Sequence, residues 1–111
     1  MIVVNTDRVP GMRIVRLVGI VRGNTVRARF FGKDIMAMLR NMVGGEVTEY
    51  TKMIAESREQ ALDRMIEDAK EQGANAILNV RFATSEVMQG AAEILAYGTG
   101  AVLEPEDRSE S

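Results

Sequence analysis

The chain has 111 residues, of which 46% are hydrophobic, and it carries a net charge of −2 with no cysteine and no histidine. That is apolar material for one domain, and it excludes disulfides, thiol nucleophiles, imidazole-based triads and the usual zinc ligand sets. No run of about 18 apolar residues is present, so no transmembrane helix is expected, the apolar start is too short for a secretory signal, and the expected compartment is the cytoplasm.

In chain order, residues 2–6 read as a short edge strand and Pro10-Gly11 as a turn. RIVRLVGIVRG (13–23) is rich in β-formers, with Val15, Leu17, Gly19 and Val21 predicted on one face and Ile14, Arg16, Val18, Ile20 and Arg22 on the other. Gly23-Asn24 carries a turn signal, and TVRARF (25–30) alternates Val26, Ala28 and Phe30 against Arg27 and Arg29, so the two segments read as a hairpin.

From Asp34 the period changes to that of a short amphipathic helix, with Ile35, Met38, Leu39, Met42 and Val43 on one stripe and Gly44-Gly45 ending it. A long helix is predicted over about 48–72, its stripe made of Tyr50, Met53, Ile54, Ala61, Leu62, Met65, Ile66 and Ala69. Lys52 with Glu56 and Arg64 with Asp68 are opposite charges four apart, pairs worth a few tenths of a kcal/mol each. Gly73 stands where a left-handed cap residue belongs.

The strand predicted over 76–82 sets Leu78, Val80 and Phe82 against Ile77, Asn79 and Arg81, and a loop near Gln89-Gly90 returns the chain. The last strand, 92–103, has almost bare even positions (Ala96, Gly98, Gly100) and a filled odd face of Leu95, Tyr97, Ala101 and Leu103. Glycine within a strand marks close backbone approach or a bulge, so the bare stripe is read as the place where the long helix or a neighbouring subunit comes in. A single domain is expected over 1–103, followed by a disordered acidic tail over 104–111.

Three segments together, TDRVPGMRIVRLVGIVRG, NMVGGEVTEYTKMIAESREQALDRMIEDAKEQGANAILNVRF and EILAYGTGAV, resemble the YbjQ-like family of small prokaryotic proteins in order and spacing, over about Thr6 to Leu103. The resemblance implies a dodecin-like α/β subunit of the α+β type, two layers with an antiparallel sheet covered by one long and one short helix. It also implies a closed homo-oligomeric ring, a pentamer. The family is labelled heavy-metal-binding and supplies no catalytic residue to carry over, and this chain lacks the imidazole and thiolate such binding usually needs.

Charge is unevenly divided. Residues 1–33 hold seven bases and one acid, a balance of +6, whereas residues 34–111 hold seven bases and fifteen acids, a balance of −8. Arg13, Arg16, Arg22, Arg27 and Arg29 therefore form either a subunit-contact surface facing a neighbour's acidic helix (Glu56, Glu59, Asp63, Glu67, Glu71) or an anion patch. Subunit contact is the better account, because the chain is acidic overall and has only five aromatic residues to stack on bases.

Eight methionines suggest soft-metal ligation, but Met38, Met42, Met53 and Met65 all fall on apolar stripes, where core filling explains them better. Arg40 beside Gly44 and Gly45 has the elements of a small anion nest, although a helix-ending turn needs glycine anyway. Tyr97 and Thr99, with Gly98 and Gly100, are read as packing with a ligand-pocket lip. The acids Asp63, Glu67 and Glu71 are read as a solvated helix face.

The sequence thus points to a cytoplasmic, ring-forming, non-catalytic homo-oligomer that binds a small ligand or metal ion between subunits or serves as a scaffold. No cofactor, metal-ligand set, membrane partner or nucleic-acid partner is expected. The alternative is an anion- or nucleic-acid-binding module built on the arginine-rich segment.

Overall fold

The computed structural model describes residues 1–27, 45–88 and 91–106. Among them the elements are β1 (Ile2–Val3), β2 (Met12–Arg27), α1 (Gly45–Glu71), β3 (Ala76–Met88) and β4 (Ala91–Pro105). They form one sheet in the order β1-β3-β4-β2, antiparallel except that β1 runs parallel to β3, with α1 laid across one face. The mixed α+β architecture and the long helix agree with the sequence reading. The predicted short helix over 34–43 and the loop at Gln89-Gly90 lie outside the described residues.

The expected hairpin at Gly23-Asn24 is not formed. β2 runs straight through it for 16 residues, Gly23 pairing with Ala96 and Asn24 with Leu95 on β4. The glycine serves a different need. A Cβ at Gly23 would lie 2.6 Å from the Arg64 carbonyl carbon and closer still to backbone atoms of Ala61 and Met65, so only glycine lets the helix backbone come this near. Three hydrogen bonds fasten the contact. Thr25 Oγ1 donates to the Ser57 carbonyl (3.1 Å), Arg64 Nη1 to the Asn24 carbonyl (2.6 Å), and the Arg22 N–H to Asp68 Oδ2 (2.9 Å).

From Ile54 to Ala69 the predicted helix stripe packs as expected. Ala61, Met65 and Ala69 are fully buried, with Ile54, Leu62 and Ile66 beside them, against Val21, Ile77, Ile94 and Ala96 of the sheet. Ser57 is also fully buried, its hydroxyl donating to the Met53 carbonyl four residues back. Arg64 and Asp68 do not pair with each other as their spacing suggested; both are used on β2. The helix ends in a Schellman motif: Gly73 (φ 86°) donates to Lys70 and Ala74 to Ala69, each at 3.0 Å.

Strict alternation fails at four places, the last between Glu86 and Met88 near the end of β3. β2 has register shifts at Ile14/Arg16 and Leu17/Gly19, so Val18 and Val21 both face the helix while Leu17 and Ile20 face away. In β3 the shift between Leu78 and Arg81 holds Asn79 at φ 54°, which turns Ile77 and Val80 to the helix side and Leu78 to the other. Asparagine tolerates this left-handed conformation better than most residues. The bare stripe of β4 faces the helix layer: a Cβ at Gly98 would meet Ile77 and the Leu78 carbonyl at 2.8 Å, and one at Gly100 would press on Val18, Val21 and Ala74.

A second, smaller cluster sits on the opposite face. Ala76, Leu78, Ala101 and Leu103 are buried there beneath Ile2, Val4, Val9 and Met12. Asn75 braces this end, its Nδ2 donating to the Leu103 carbonyl (3.0 Å) and its Oδ1 accepting from the Leu103 N–H (2.8 Å), as a neighbouring strand would. β4 continues to Pro105, and the Glu106 N–H donates to the Gly11 carbonyl (2.9 Å); residues 107–111 lie outside the described set.

Candidate functional site

The two faces of the sheet are covered unequally. α1 closes one, whereas the segment leading into β2 closes only one end of the other. The remainder of that second face carries apolar side chains in water. Leu17 is 59% exposed, Ile20 74%, Val26 54% and Tyr97 38%. Strand register puts them together: Leu17 is opposite Ala101, Ile20 opposite Thr99, Arg22 opposite Tyr97 and Val26 opposite Glu93. An apolar surface of this extent, collected on one side of a small domain, marks an interaction site.

Tyr97 and Thr99, singled out as a pocket lip, both lie on this open face, two residues apart on β4. Tyr97 sits in a cross-strand row between Arg22 on β2 and Arg81 on β3. Arg81 is held by its Nη1, which donates to the Asn5 and Val80 carbonyls at 3.1 and 3.0 Å. The row thus joins one phenol and two cations beside Ile20 and Leu17, a surface suited to an anionic or mixed apolar–anionic group.

The arginines of β2 are not a single surface. Arg13 pairs with Glu104 across the strands at 3.1 Å. Arg16 reaches the helix side, its Nη2 standing against the Gly73 turn, where the last carbonyls of α1 favour a cation. Arg22 alone of these three is on the open face. Arg27 ends β2. Arg29, Arg40 and Gly44 lie outside the described residues, and Gly45 is the first residue of α1. On α1, Glu56, Glu59, Asp63, Glu67 and Glu71 are all exposed.

No three acidic side chains gather closely enough among the described residues to hold a metal ion. Met65 is buried in the helix-side core and Met12 lies in the cluster on the opposite face, so their sulfurs are separated by the sheet. Met36, Met38 and Met42 lie outside the described residues.

Several structural roles escaped the sequence reading. The polar tie between Thr25 and Ser57 had no periodic signal, since each residue alone is compatible with a surface position. Leu17 and Ile20 were placed on opposite faces because the bulge at Val18 has no local signature beyond Gly19 (φ 106°).

Comparison with known proteins places this arrangement in a family. The YbjQ model, described as "Putative heavy-metal-binding", matches residues 1–104. A UPF0145 protein of Dehalococcoides mccartyi strain BAV1 is 58% identical over 104 residues, covering 94% of this chain and 100% of its own. A UPF0145 protein of Pyrococcus abyssi is 59% identical over 107 residues, covering 96% and 94%. Among solved structures, a Pediococcus pentosaceus protein of unknown function from the DUF74 family superposes with a TM-score of 0.62 at 14% identity, over 94% of this chain and 98% of that one. At that identity the likeness concerns the fold.

Proposed function

The chain belongs to the YbjQ family, and on that basis we propose that it works as a non-catalytic, ring-forming homo-oligomer that binds a small ligand between subunits or acts as a scaffold. The observation that carries this reading is the open sheet face of Leu17, Ile20, Val26 and Tyr97. Covering it with a second copy removes apolar area worth about 25 cal/mol per Å2.

Two further features support self-association. The radius of gyration is 18.4 Å, with extents of 64 × 26 × 16 Å, against about 13 Å for a compact domain of this length. Long thin subunits of this kind complete their cores by assembly. The exposed acids of α1 and the exposed Arg22 also give opposite charges on different faces, which suits a head-to-tail contact of the sort that closes rings. Five subunits is the proposed number, and the ligand site is the row around Tyr97 and Thr99. A metal ion held there would be a hard cation on carboxylates contributed by more than one subunit, since one subunit's described residues form no such set.

An anion- or nucleic-acid-binding role is the second reading, favoured by Arg22 and Arg81 flanking Tyr97. It is weakened by the pairing of Arg13 and the placement of Arg16 on the other face. No described helix is long and apolar enough to cross a membrane, and a cytoplasmic location belongs to the same proposal.

Native mass spectrometry of untagged protein separates these readings. A multimer with excess mass supports ligand binding, and a bare multimer supports the scaffold role. A monomer that holds oligonucleotide with steep salt dependence, lost in Arg22→Ala, overturns the ring in favour of the second reading.

A further inference from the structure

The sheet has two lateral edges, and they are treated differently. On β2, the Arg22 N–H and the Asn24 carbonyl that face outward are taken by Asp68 and Arg64 of α1. Two bulges interrupt the rest of that strand. Covering an edge with helix side chains and twisting it with bulges are the ways proteins keep a strand from pairing with another chain. On β3 the first half is likewise covered. Val4 donates to Ile77, Val80 to Val4 and Asn79 to Thr6, at 3.0, 3.0 and 2.9 Å.

Among the described residues, the outer side of β3 is bare from Arg81 onward. Residues 81–86 are all exposed, they remain paired to β4 on their inner side, and among the described residues no strand lies on their outer side. Every second residue there presents an N–H and a C=O outward. Between Phe82 and Ser85 the strand has no proline, glycine or charged residue, and the guards stand only at its ends, Arg81 on one side and Glu86 with the register shift before Met88 on the other. Phe82 is 46% exposed at this edge.

We infer that this edge pairs with the same edge of a second copy, antiparallel, about a two-fold axis at Thr84. The residue order decides the occupant. Antiparallel self-pairing about Thr84 sets Thr84 against Thr84, Ala83 against Ser85 and Phe82 against Glu86, with no like charges opposed. A parallel in-register pair sets Glu86 against Glu86. A neighbour's β2 is barred by the Arg64 and Asp68 caps already described. The contact is isologous and closes on two subunits. It rests on the self-association proposed above but uses a different surface from the open face, so a ring that also used it would face a second ring.

The absence of native cysteine makes the test direct. Across the axis two residues at position 84 stand about 4.5–5.5 Å apart at their Cα atoms, within the roughly 4.4–6.8 Å that a disulfide spans. Thr84→Cys, oxidised with diamide as untagged full-length protein, is expected to run as a covalent dimer, with circular dichroism and melting like those of the parent. Glu86→Cys is the register control, because its two thiols lie about 13 Å apart at about 3.3 Å per residue, and it is expected to stay monomeric on a denaturing gel. Equal cross-linking of both variants, or none in a folded Thr84→Cys protein, overturns the pairing. Native mass spectrometry of the same sample then distinguishes the cases: a multimer leaves self-association standing without this contact, and a monomer removes both.

Discussion

Gly23 is where α1 comes nearest the sheet, and replacing it with alanine tests the packing of the whole helix layer. The added Cβ would be 2.6 Å from the Arg64 carbonyl carbon and nearer still to the Ala61 and Met65 backbones, whereas ordinary contact begins at 3.4 Å. Backbone atoms cannot rotate away, so the helix must retreat by roughly 1 Å. Overpacking of this kind costs about 1–3 kcal/mol. The retreat also weakens the bonds from Thr25, Arg64 and Arg22 across the same contact, each worth about 1 kcal/mol net. Alanine returns only about 0.4–1 kcal/mol by restricting the unfolded chain. The expected loss is therefore about 3–5 kcal/mol, or a melting temperature lower by about 12–20 °C at roughly 4 °C per kcal/mol.

The assay is thermal and urea unfolding by far-UV circular dichroism at one fixed protein concentration, since self-association shifts apparent stability. Gly11→Ala is the comparison. Its φ of 80° strains any side chain, but nothing lies within 4 Å of the new Cβ, so it should lose only about 1–2 kcal/mol. A Gly23→Ala protein within about 0.5 kcal/mol of the parent would falsify the seating of α1 on β2.

Asn75→Ala removes both bonds to the nearly buried Leu103 backbone and should cost about 2–3 kcal/mol in urea unfolding; a loss below 0.5 kcal/mol means another group braces that strand. Glu104→Gln breaks the Arg13 pair, but both side chains are more than half exposed, so stability should change by under about 0.5 kcal/mol. A larger loss in calorimetry would show the pair is screened from water. Ile20→Glu places a charge where the subunit is 74% exposed; it should leave secondary structure intact and reduce the assembly to smaller species by light scattering. Unchanged assembly mass would remove the open face as the contact.

Much of the fold was legible because its signals are local. The 3.6-residue stripe from Ile54 to Ala69 and the glycine at 73 predict a helix and its end, and the structure buries that stripe and caps it with the expected left-handed residue. What failed were inferences at Gly23-Asn24 and along β2 and β3, where a tertiary contact or a bulge decides the outcome. Gly23-Asn24 has the composition of a turn, and nothing nearby distinguishes a glycine that bends the chain from one that admits a helix backbone. Alternation then failed at the register shifts, as where an inserted residue, Val18 or Asn79, moved the following side chains to the other face.

The site was legible in part, and the reason lies in how the charges are used. Seven bases in the first 33 residues suggested one cationic surface. Folding divides it: Arg13 takes Glu104, Arg16 goes to the helix end, and Arg22 remains in the row with Tyr97. Of the acids of α1, Asp68 takes the Arg22 N–H, while Glu56, Glu59, Asp63, Glu67 and Glu71 stay exposed. Sequence counting therefore overstates the charge a partner meets on β2 and misses the apolar surface beside it. Ile20, at 74% exposure, is the residue most out of place in a lone subunit. An ion pair at an exposed surface contributes at most about 1 kcal/mol, while covering a side chain of that size contributes about 1.5–3 kcal/mol. Apolar burial, with arginine and acid setting orientation, is thus the term that decides whether this chain assembles.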